Sequence, residues 1–215
     1  MLPCQSRRGV DKLEEINAMH TYSPQKFNIP TISGISQKQL DVHLSLYEGY
    51  VKHVNLIREK IADLKADEEK NSFLISELRR RFSFEFDGMR MHEYYFESFE
   101  GGKNEINSGG TLLKELSEKY TDWDGFLKHF KSVGMTRGIG WTILYYDPRG
   151  KTFHIVWVTD HELGQLAGLP IILAMDMWEH AYMVDYVPLE KKNYIEAFLS
   201  NVNWKTSEER FKKAI

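Results

Sequence analysis

The segment AMDMWEHAY, residues 174–182, places a carboxylate and an imidazole four residues apart, directly after a run of apolar residues. Asp176 ends the run PIILAM, which predicts a buried strand, and His180 follows after a tryptophan and a second acid. A charge at the end of an apolar strand is costly unless it is paired or bound to a metal. The segment is therefore either the solvated start of a helix or half of a metal site.

The composition of the 215-residue chain sets the class of protein and limits its chemistry. With 42% hydrophobic residues and a formal net charge of -3, we expect a soluble, cytoplasmic protein of one large or two small domains. No basic patch indicates a nucleic-acid partner, and no apolar segment is long enough for a signal peptide or a membrane span. Cys4 is the single cysteine, which excludes an intrachain disulfide and a cysteine-rich zinc site. A metal would have to be bound by histidine and carboxylate side chains.

The spacing of apolar residues changes from a helical to a strand period along the chain, which predicts an α+β protein. Residues 1–25 are polar and weakly patterned, so we interpret them as an N-terminal extension. Residues 26–108 are predicted to form a helical hairpin domain, and residues 109–215 an α/β domain.

The first half of the chain carries the longest helical patterns. Ser36 is a good N-cap, and Gln39 three residues later completes the pattern of a capping box. A long helix is predicted after Ser36, followed by separate helices at about 71–82 and 88–99, the latter ending before a Gly-Gly pair.

The second half begins with two short helical patterns, the second capped by Asp122 or Asp124. Three runs of β-branched and aromatic residues then predict strands at 141–147, 151–160 and 170–175. A Pro-Arg-Gly turn joins the first two runs into a hairpin. The chain is predicted to close as helix from about Glu190.

Two of the eight histidines stand out by position. His43 lies within the long predicted helix with two tyrosines on the same side, and His92 lies within a predicted helix among aromatic residues. With Asp176 and His180 they would form a site of three imidazoles and one carboxylate, which suits Fe, Mn or Zn and not Ca. The residues alone leave open whether the four meet, because a buried histidine is more often a hydrogen-bonded core residue.

The stretch DMWEHAY, residues 176–182, resembles the C-terminal signature D-x-W-E-H-A-Y of the iron/manganese superoxide dismutases. Weaker matches follow the family's order: FNIPTIS before the first helix, HEYYFESF at 92–99, GIGWTIL at 138–144 and NVNW at 201–204. The resemblance covers nearly the whole chain from about Phe27. It implies an N-terminal helical hairpin followed by a C-terminal α/β domain with a three-stranded antiparallel sheet.

Carried over position by position, the resemblance implies the metal ligands His43, His92, Asp176 and His180, with one Mn or Fe ion per subunit. It implies an enzyme that converts superoxide to oxygen and hydrogen peroxide while the metal alternates between M(III) and M(II). Water or hydroxide would hold the fifth position, and the surrounding hydrogen bonds would set the potential and deliver protons.

The resemblance also implies a residue that hydrogen-bonds the metal-bound solvent. The family supplies it from one of two places: four residues before the second ligand, where Gly88 stands, or after the second strand, where TDHELG contains His161. We therefore expect His161 to take this catalytic role, with Gln165 in reserve. This arrangement resembles the manganese and metal-tolerant branches more than the typical iron branch. Without the resemblance, an exposed loop histidine is an equally good interpretation of His161.

Three more positions match residues around the metal in the family. Trp141 and Trp178 match its hydrophobic shell, although both are also explained as core residues. Glu179 matches a residue that hydrogen-bonds a ligand histidine, here His180, across a dimer interface. The resemblance thus implies a homodimer, whereas Glu179 by itself is best interpreted as a solvated surface acid.

The first helix departs from the family pattern H-x-x-x-H-H-x-x-Y-V, because this chain has HLSLYEGYV. Tyr47 replaces the second histidine, and the Tyr-Val pair comes one residue early, at Tyr50. A deletion, a helical bulge or a relocated gateway tyrosine would each explain the shift. We expect Tyr50 to be the catalytic gateway that admits substrate and relays protons, with Tyr47 as the alternative. Met183 stands where the family often has tyrosine, and Lys191 is the nearest substitute for its anion-attracting arginine.

Two other functions stay open at this point. A non-catalytic metal-binding relative would keep the ligands and lack turnover, and the altered first helix favours this alternative. The other alternative is a different non-haem metal enzyme, such as an oxygenase whose metal is bound by two histidines and one carboxylate. A fourth protein ligand leaves too few open positions on the metal for such an enzyme to bind its substrate, so this alternative ranks last.

Overall fold

Two long helices form the first part of the fold in the computed structural model, which describes residues 20–215. Helix α1 is Gln37–Leu64 and helix α2 is Glu68–Glu97. A 3-10 turn, Lys65–Asp67, joins them, so that they pack against each other as a hairpin. The N-terminal extension was predicted for residues 1–25. Residues 1–19 of it lie outside the described residues.

Helix α1 begins where the sequence predicts, but the predicted capping box is wrong. The Ser36 hydroxyl accepts a hydrogen bond from the Gln39 backbone N–H at 3.1 Å, as an N-cap does. The Gln39 side chain does not return to Ser36. Instead it donates to the carbonyl of His180 at 2.6 Å and accepts from the backbone of Val184 at 2.9 Å. This buried amide therefore ties the start of α1 to the segment that follows the last strand.

The separate helices predicted at 71–82 and 88–99 are wrong, because α2 runs through the gap between them without interruption. The second of these helices was predicted to begin at about Gly88, yet this residue lies in the interior of α2 and is buried. A glycine in a helix costs about 1 kcal/mol relative to alanine, which the packing of α2 against α1 outweighs. The helix ends at Glu97, shortly before Gly101 and Gly102, which both have positive φ angles.

The remaining elements form the predicted α/β part. Helices α3, Thr111–Tyr120, and α4, Trp123–Gly134, precede three strands: β1, Gly140–Asp147; β2, Thr152–Thr159; and β3, Ile171–Asp176. The strand order is β2-β1-β3 and both pairings are antiparallel, which confirms the predicted fold class. Asp122 caps α4, since its carboxylate accepts from the Gly125 N–H at 2.6 Å.

The closing helical stretch is two helices, α5, Lys191–Asn201, and α6, Trp204–Ala214. Val202 between them has extended backbone angles, and the Asn203 N–H donates to the carbonyl of Ser98 at 2.7 Å. This bond holds the junction against the end of α2. Among residues 20–215, no helix combines the length and the apolar character that crossing a bilayer requires.

The position of β3 in the sheet decides where the buried acid lies. Strand β1 is central, and its register pairs Trp141 with Asp176 at the end of β3. Helix α2 packs on β3, and α1 packs on α2, so that the carboxylate faces the middle of the helical hairpin. The division of the chain at about residue 108 stays a prediction.

Candidate metal centre

Four side chains from four separate elements meet at the junction of hairpin and sheet. They are His43 on α1, His92 on α2, Asp176 at the end of β3, and His180 in the 3-10 turn Glu179–Ala181. One nitrogen or oxygen atom of each lies within 4.8 Å of those of the other three. The structure thus brings together the four residues that the sequence proposed as ligands.

The Asp176 carboxylate is the centre of this cluster. Its Oδ1 accepts the backbone N–H of Trp178 at 2.8 Å, which leaves Oδ2 for the imidazoles. The distance from Asp176 Oδ2 to Nε2 is 3.0 Å for His43, 3.1 Å for His180 and 3.5 Å for His92. Within residues 20–215, neither lysine nor arginine forms an ion pair with this carboxylate. A buried anion surrounded only by imidazoles fits the binding of a cation.

Burial and charge determine the protonation of the cluster. Burial lowers the pKa of both His43 and His92, and His92 is fully enclosed. Burial alone would raise the pKa of Asp176, but the imidazoles of His180 and His43 hold it well below its ordinary value. Neutral imidazoles and an ionised carboxylate are the forms that bind metals. Three nitrogen donors and one oxygen donor suit Fe, Mn or Zn.

The tautomer of His92 is fixed by its own helix. Its Nδ1–H donates to the carbonyl of Gly88, one turn earlier, at 2.6 Å. The lone pair of Nε2 therefore faces the cluster, where Nε2 of His180 lies 3.3 Å away. Two such nitrogen atoms at this distance can share a cation between them, and a hydrogen bond behind a ligand imidazole is typical of metal sites.

A chain of hydrogen bonds beside the cluster connects Trp141, His161 and Tyr50. The indole N–H of Trp141 donates to Nδ1 of His161 at 2.9 Å, and Nε2 of His161 lies 2.7 Å from the hydroxyl of Tyr50. An indole can only donate, so Nδ1 is the acceptor and Nε2 carries the proton. Tyr50 therefore accepts from His161, and its own hydroxyl proton is free to be donated elsewhere.

The buried position of His161 contradicts its interpretation as an exposed loop residue. Its exposed fraction is 0%, and burial lowers its pKa to about 4, so that the ring is neutral near pH 7. Gln165 does not take its place, because the Gln165 amide donates to the carbonyl of His161 at 2.9 Å and accepts from Tyr145. Gln165 thus holds the loop that carries His161.

The two tryptophans that the sequence selected enclose the cluster from different sides. Trp141 is fully buried, with its ring 5.2 Å from that of His92. Trp178 lies between His161, at 4.8 Å, and His180, at 5.6 Å, with its plane nearly parallel to both. They separate the donor atoms from bulk water.

Known proteins are similar to this chain over most of its length. Residues 107–210 match the model of the C-terminal domain of iron/manganese superoxide dismutases. A protein named superoxide dismutase [Fe] from Aquifex pyrophilus is 34% identical over 213 residues, covering 96% of this chain and 94% of the relative. Another of that name, from Sulfolobus acidocaldarius, is 31% identical over 183 residues, covering 83% of this chain and 86% of the relative.

The chain belongs to the iron/manganese superoxide dismutase family.

The departure of the first helix from the family pattern has a simple structural outcome. Helix α1 is α-helical from Gln37 to Leu64, so the proposed helical bulge is wrong. Tyr50 nevertheless reaches His161, and its ring lies 5.0 Å from that of His92. Tyr47 instead donates to Glu93 at 3.0 Å and accepts from the backbone of Gln25 at 2.8 Å.

Three residues suggested by the family pattern lie away from the hydrogen-bond chain. Glu179 is exposed, so its bond to a second subunit stays a prediction. Lys191 donates to the carbonyl of Thr136 at 2.8 Å and lines a different cavity, together with Glu179. Met183 is 46% exposed.

Phe84 contacts the site and was missed in the sequence. Its ring lies 4.7 Å from His161 and 6.3 Å from Tyr50. It falls in the gap between the two helices that were predicted separately. A continuous helix would have placed Phe84 two turns before His92 on a neighbouring face.

A cavity of about 350 Å³ lies beside this site and is lined in part by Tyr50, Phe84 and Trp178. We call it the entrance; its lining includes Tyr50, His53, Arg81, Phe84, Glu85 and Trp178. Tyr50 and Trp178 form its inner end, because both also contact ligand histidines.

Proposed function

We propose that the protein is a metal-dependent superoxide dismutase with one Mn or Fe ion per subunit. The ligands would be His43, His92, Asp176 and His180. The observation that carries the proposal is that these four side chains, of which all but His180 are buried, form a cluster beside the Tyr50–His161 pair, which can supply a proton. The relatives named superoxide dismutase [Fe] support the same activity.

The bound ion would supply one-electron redox chemistry, alternating between M(III) and M(II) as one superoxide is oxidised to oxygen and another is reduced. The reduced superoxide takes up one electron and two protons to become hydrogen peroxide. The protein must therefore supply protons close to the ligands while it keeps bulk water out.

Tyr50 and His161 are placed for this proton supply. The hydroxyl of Tyr50 accepts from His161, so its own proton is available to a substrate anion at the inner end of the entrance. Burial raises the pKa of Tyr50, which keeps the phenol protonated at neutral pH. We therefore propose Tyr50 and His161 as the catalytic pair, with Trp141 fixing the tautomer of His161.

Trp141 and Trp178 would restrict the site to a small substrate. The Trp141 ring packs on His92 and the Trp178 ring on His180, and Trp178 also lines the entrance. Superoxide is a small diatomic anion and needs only one open position beside the ligands.

The choice of metal and the assembly belong to the same proposal. The names of the relatives favour Fe, whereas Gly88 together with His161 resembles the manganese and metal-tolerant branches. We propose a homodimer in which Glu179 hydrogen-bonds His180 of the second subunit. A cytoplasmic location stays a prediction.

Superoxide dismutation and metal content, measured on protein reconstituted separately with Fe and with Mn, test the proposal. We expect turnover with at least one metal and its loss in His180→Ala. The control His129→Ala removes an exposed histidine that packs on Tyr120, far from the ligands, and should keep full activity. A stoichiometric metal without turnover in both preparations would support the non-catalytic, metal-binding alternative instead.

A further inference from the structure

The entrance carries three ionisable side chains that the proposed reaction does not use. They are His53 on α1 and Arg81 and Glu85 on α2. All three lie outside the ligand cluster and its hydrogen-bond chain. An anionic substrate passes them on its way to Tyr50, so their charges act on it before the chemistry does.

Arg81 is held at the rim of the entrance by two contacts. Its guanidinium lies 3.8 Å from the centre of the Phe84 ring, and its Nε donates to Oε1 of Glu85 at 2.8 Å. The Arg81 side chain is 50% exposed, whereas that of Glu85 is 6% exposed. The positive charge thus lies at the outside and the negative charge inside. The second oxygen of Glu85 lies 3.5 Å from Nδ1 of His53.

Helix α2 aligns this pair with the metal ligand. Arg81, Glu85, Gly88 and His92 follow one another at spacings of three or four residues and share one face of the helix. Eleven residues of helix place Arg81 about 16 Å above His92 along the axis. The pair therefore marks the outer end of the path to the ligand.

Both charges reach the inner end of the entrance. The pKa of Tyr50 is raised first by burial and by Asp176; Glu85 raises it further, and Arg81 opposes this increase. Arg81 also adds to the lowering of the pKa of His161 that burial causes. On Tyr50 the charges of the two residues thus act in opposite directions.

We propose that Arg81 and Glu85 set the charge of the entrance and thereby control how readily small anions reach the metal centre. Arg81 attracts the anion, and Glu85 fixes Arg81 in place and moderates its charge. Lys191, the residue that the sequence suggested for this task, lies in another cavity. The identity of the anion as superoxide rests on the proposed function, whereas the attraction of anions does not.

Three variants separate the charge from the contact. In the native protein the two charges cancel; Arg81→Gln leaves one negative charge, Glu85→Gln leaves one positive charge, and the double variant is again neutral. At low ionic strength we expect the highest kcat/KM in Glu85→Gln and the lowest in Arg81→Gln. The native protein and the double variant should share an intermediate value. Each step should be about threefold and should disappear at high salt, because ions screen rim charges.

Arg80→Gln is the matched control. It removes the same charge from the neighbouring residue, but the Arg80 side chain is 71% exposed, pairs with Glu77 and does not line the entrance. We expect native kcat/KM and native salt dependence. Thermal unfolding shows whether each variant folds. The double variant also lacks the packing of Arg81 on Phe84, so native kinetics in this variant show that lost packing does not cause the change in kcat/KM of Arg81→Gln.

Quenching of Trp178 fluorescence gives a second measurement that needs no turnover. The emission of Trp178 is the part of the fluorescence that disappears in Trp178→Phe. Iodide, a monoanion, should quench this emission most strongly in Glu85→Gln and least in Arg81→Gln, whereas neutral acrylamide should quench it equally in all variants. If iodide quenching follows this order but the protein has no dismutase activity, the proposed function is refuted, and the attraction of anions by the entrance is still supported. Equal iodide quenching in Arg81→Gln and Arg80→Gln would overturn the inference, whatever the dismutase activity.

Discussion

At the residue scale, Gly88 serves the site in two ways, and the second of them requires glycine. Its carbonyl fixes His92, and its missing side chain makes room for Tyr50. A Cβ on Gly88 would lie 2.6 Å from Cδ1 of the Tyr50 ring. The sequence showed only that no glutamine or histidine stands at this position. The close approach of α1 and α2 that explains the glycine cannot be derived from residue types.

Gly88→Ala tests this packing. Alanine favours a helix by about 1 kcal/mol, but the overlap with Tyr50 should cost about 1–3 kcal/mol, so we expect a net loss of stability and of turnover. Gly49→Ala in α1 is the control, since its Cβ would meet no atom within 4 Å. Urea unfolding should show that the control is as stable as the native protein or more so. A stabilised Gly88→Ala variant with native activity would contradict the packing.

The lowered pKa of His161 predicts how stability depends on pH. Folding lowers this pKa from about 6.5 to about 4, so the unfolded chain binds more protons between these values. The contribution of His161 is fully present above pH 6.5 and is lost as pH falls toward 4. Between pH 6.5 and 4, the free energy of unfolding of the native protein should therefore decrease by roughly 2–4 kcal/mol more than that of His161→Gln. Urea unfolding of both proteins at several pH values measures it, and identical slopes would refute the buried neutral imidazole.

At the scale of elements, the sequence predicted the strands better than the helices. The strand runs of the hairpin are strongly β-branched and aromatic, and they lie where predicted. Helix α2 was divided in two, at about 82 and 88, whereas a glycine at 88 is tolerated inside the helix because α2 packs against α1, which is not a local property of the sequence. This error also concealed Phe84 from the sequence analysis.

Gln39 shows a connection between elements that periodicity cannot indicate. Its buried amide joins the start of α1 to the turn that carries His180. Gln39→Ala should lower stability by about 1–2 kcal/mol and speed the loss of metal to a chelator, because it removes the partner of two partly buried backbone groups. Gln37→Ala is the control, as the exposed Gln37 side chain bonds only to Asp41. Equal rates of metal release in the two variants would show that Gln39 does not support the site.

At the scale of the whole molecule, the candidate ligands come from both parts of the fold. His43 and His92 lie on the hairpin, and Asp176 and His180 follow the sheet. The signature DMWEHAY indicated Asp176 and His180 as candidate ligands, and the match along the rest of the chain added His43 and His92. The hydrogen-bond partners of those residues were less predictable, since they depend on strand register and loop position. Trp141 and His161, for example, come together where β1 pairs with the end of β2.

A metal held between the two parts should stabilise the entire fold. At a free metal concentration about a thousandfold above Kd, the gain is about 4 kcal/mol, or a rise in Tm of about 10 °C. We expect a chelator to lower the Tm of the native protein by this amount and to leave that of His180→Ala unchanged. Calorimetry with and without chelator measures both, and an unchanged native Tm would argue against a metal that bridges the hairpin and the sheet.

The four candidate ligands, three of them buried, are proposed to hold a metal that dismutates superoxide. The most direct test measures bound metal and superoxide consumption in the same samples, across preparations loaded to different extents with Fe or with Mn. We predict that activity rises in proportion to the bound metal, up to one ion per chain, for at least one of the two metals. Samples with one ion per chain and no consumption of superoxide, for both metals, would contradict the claim.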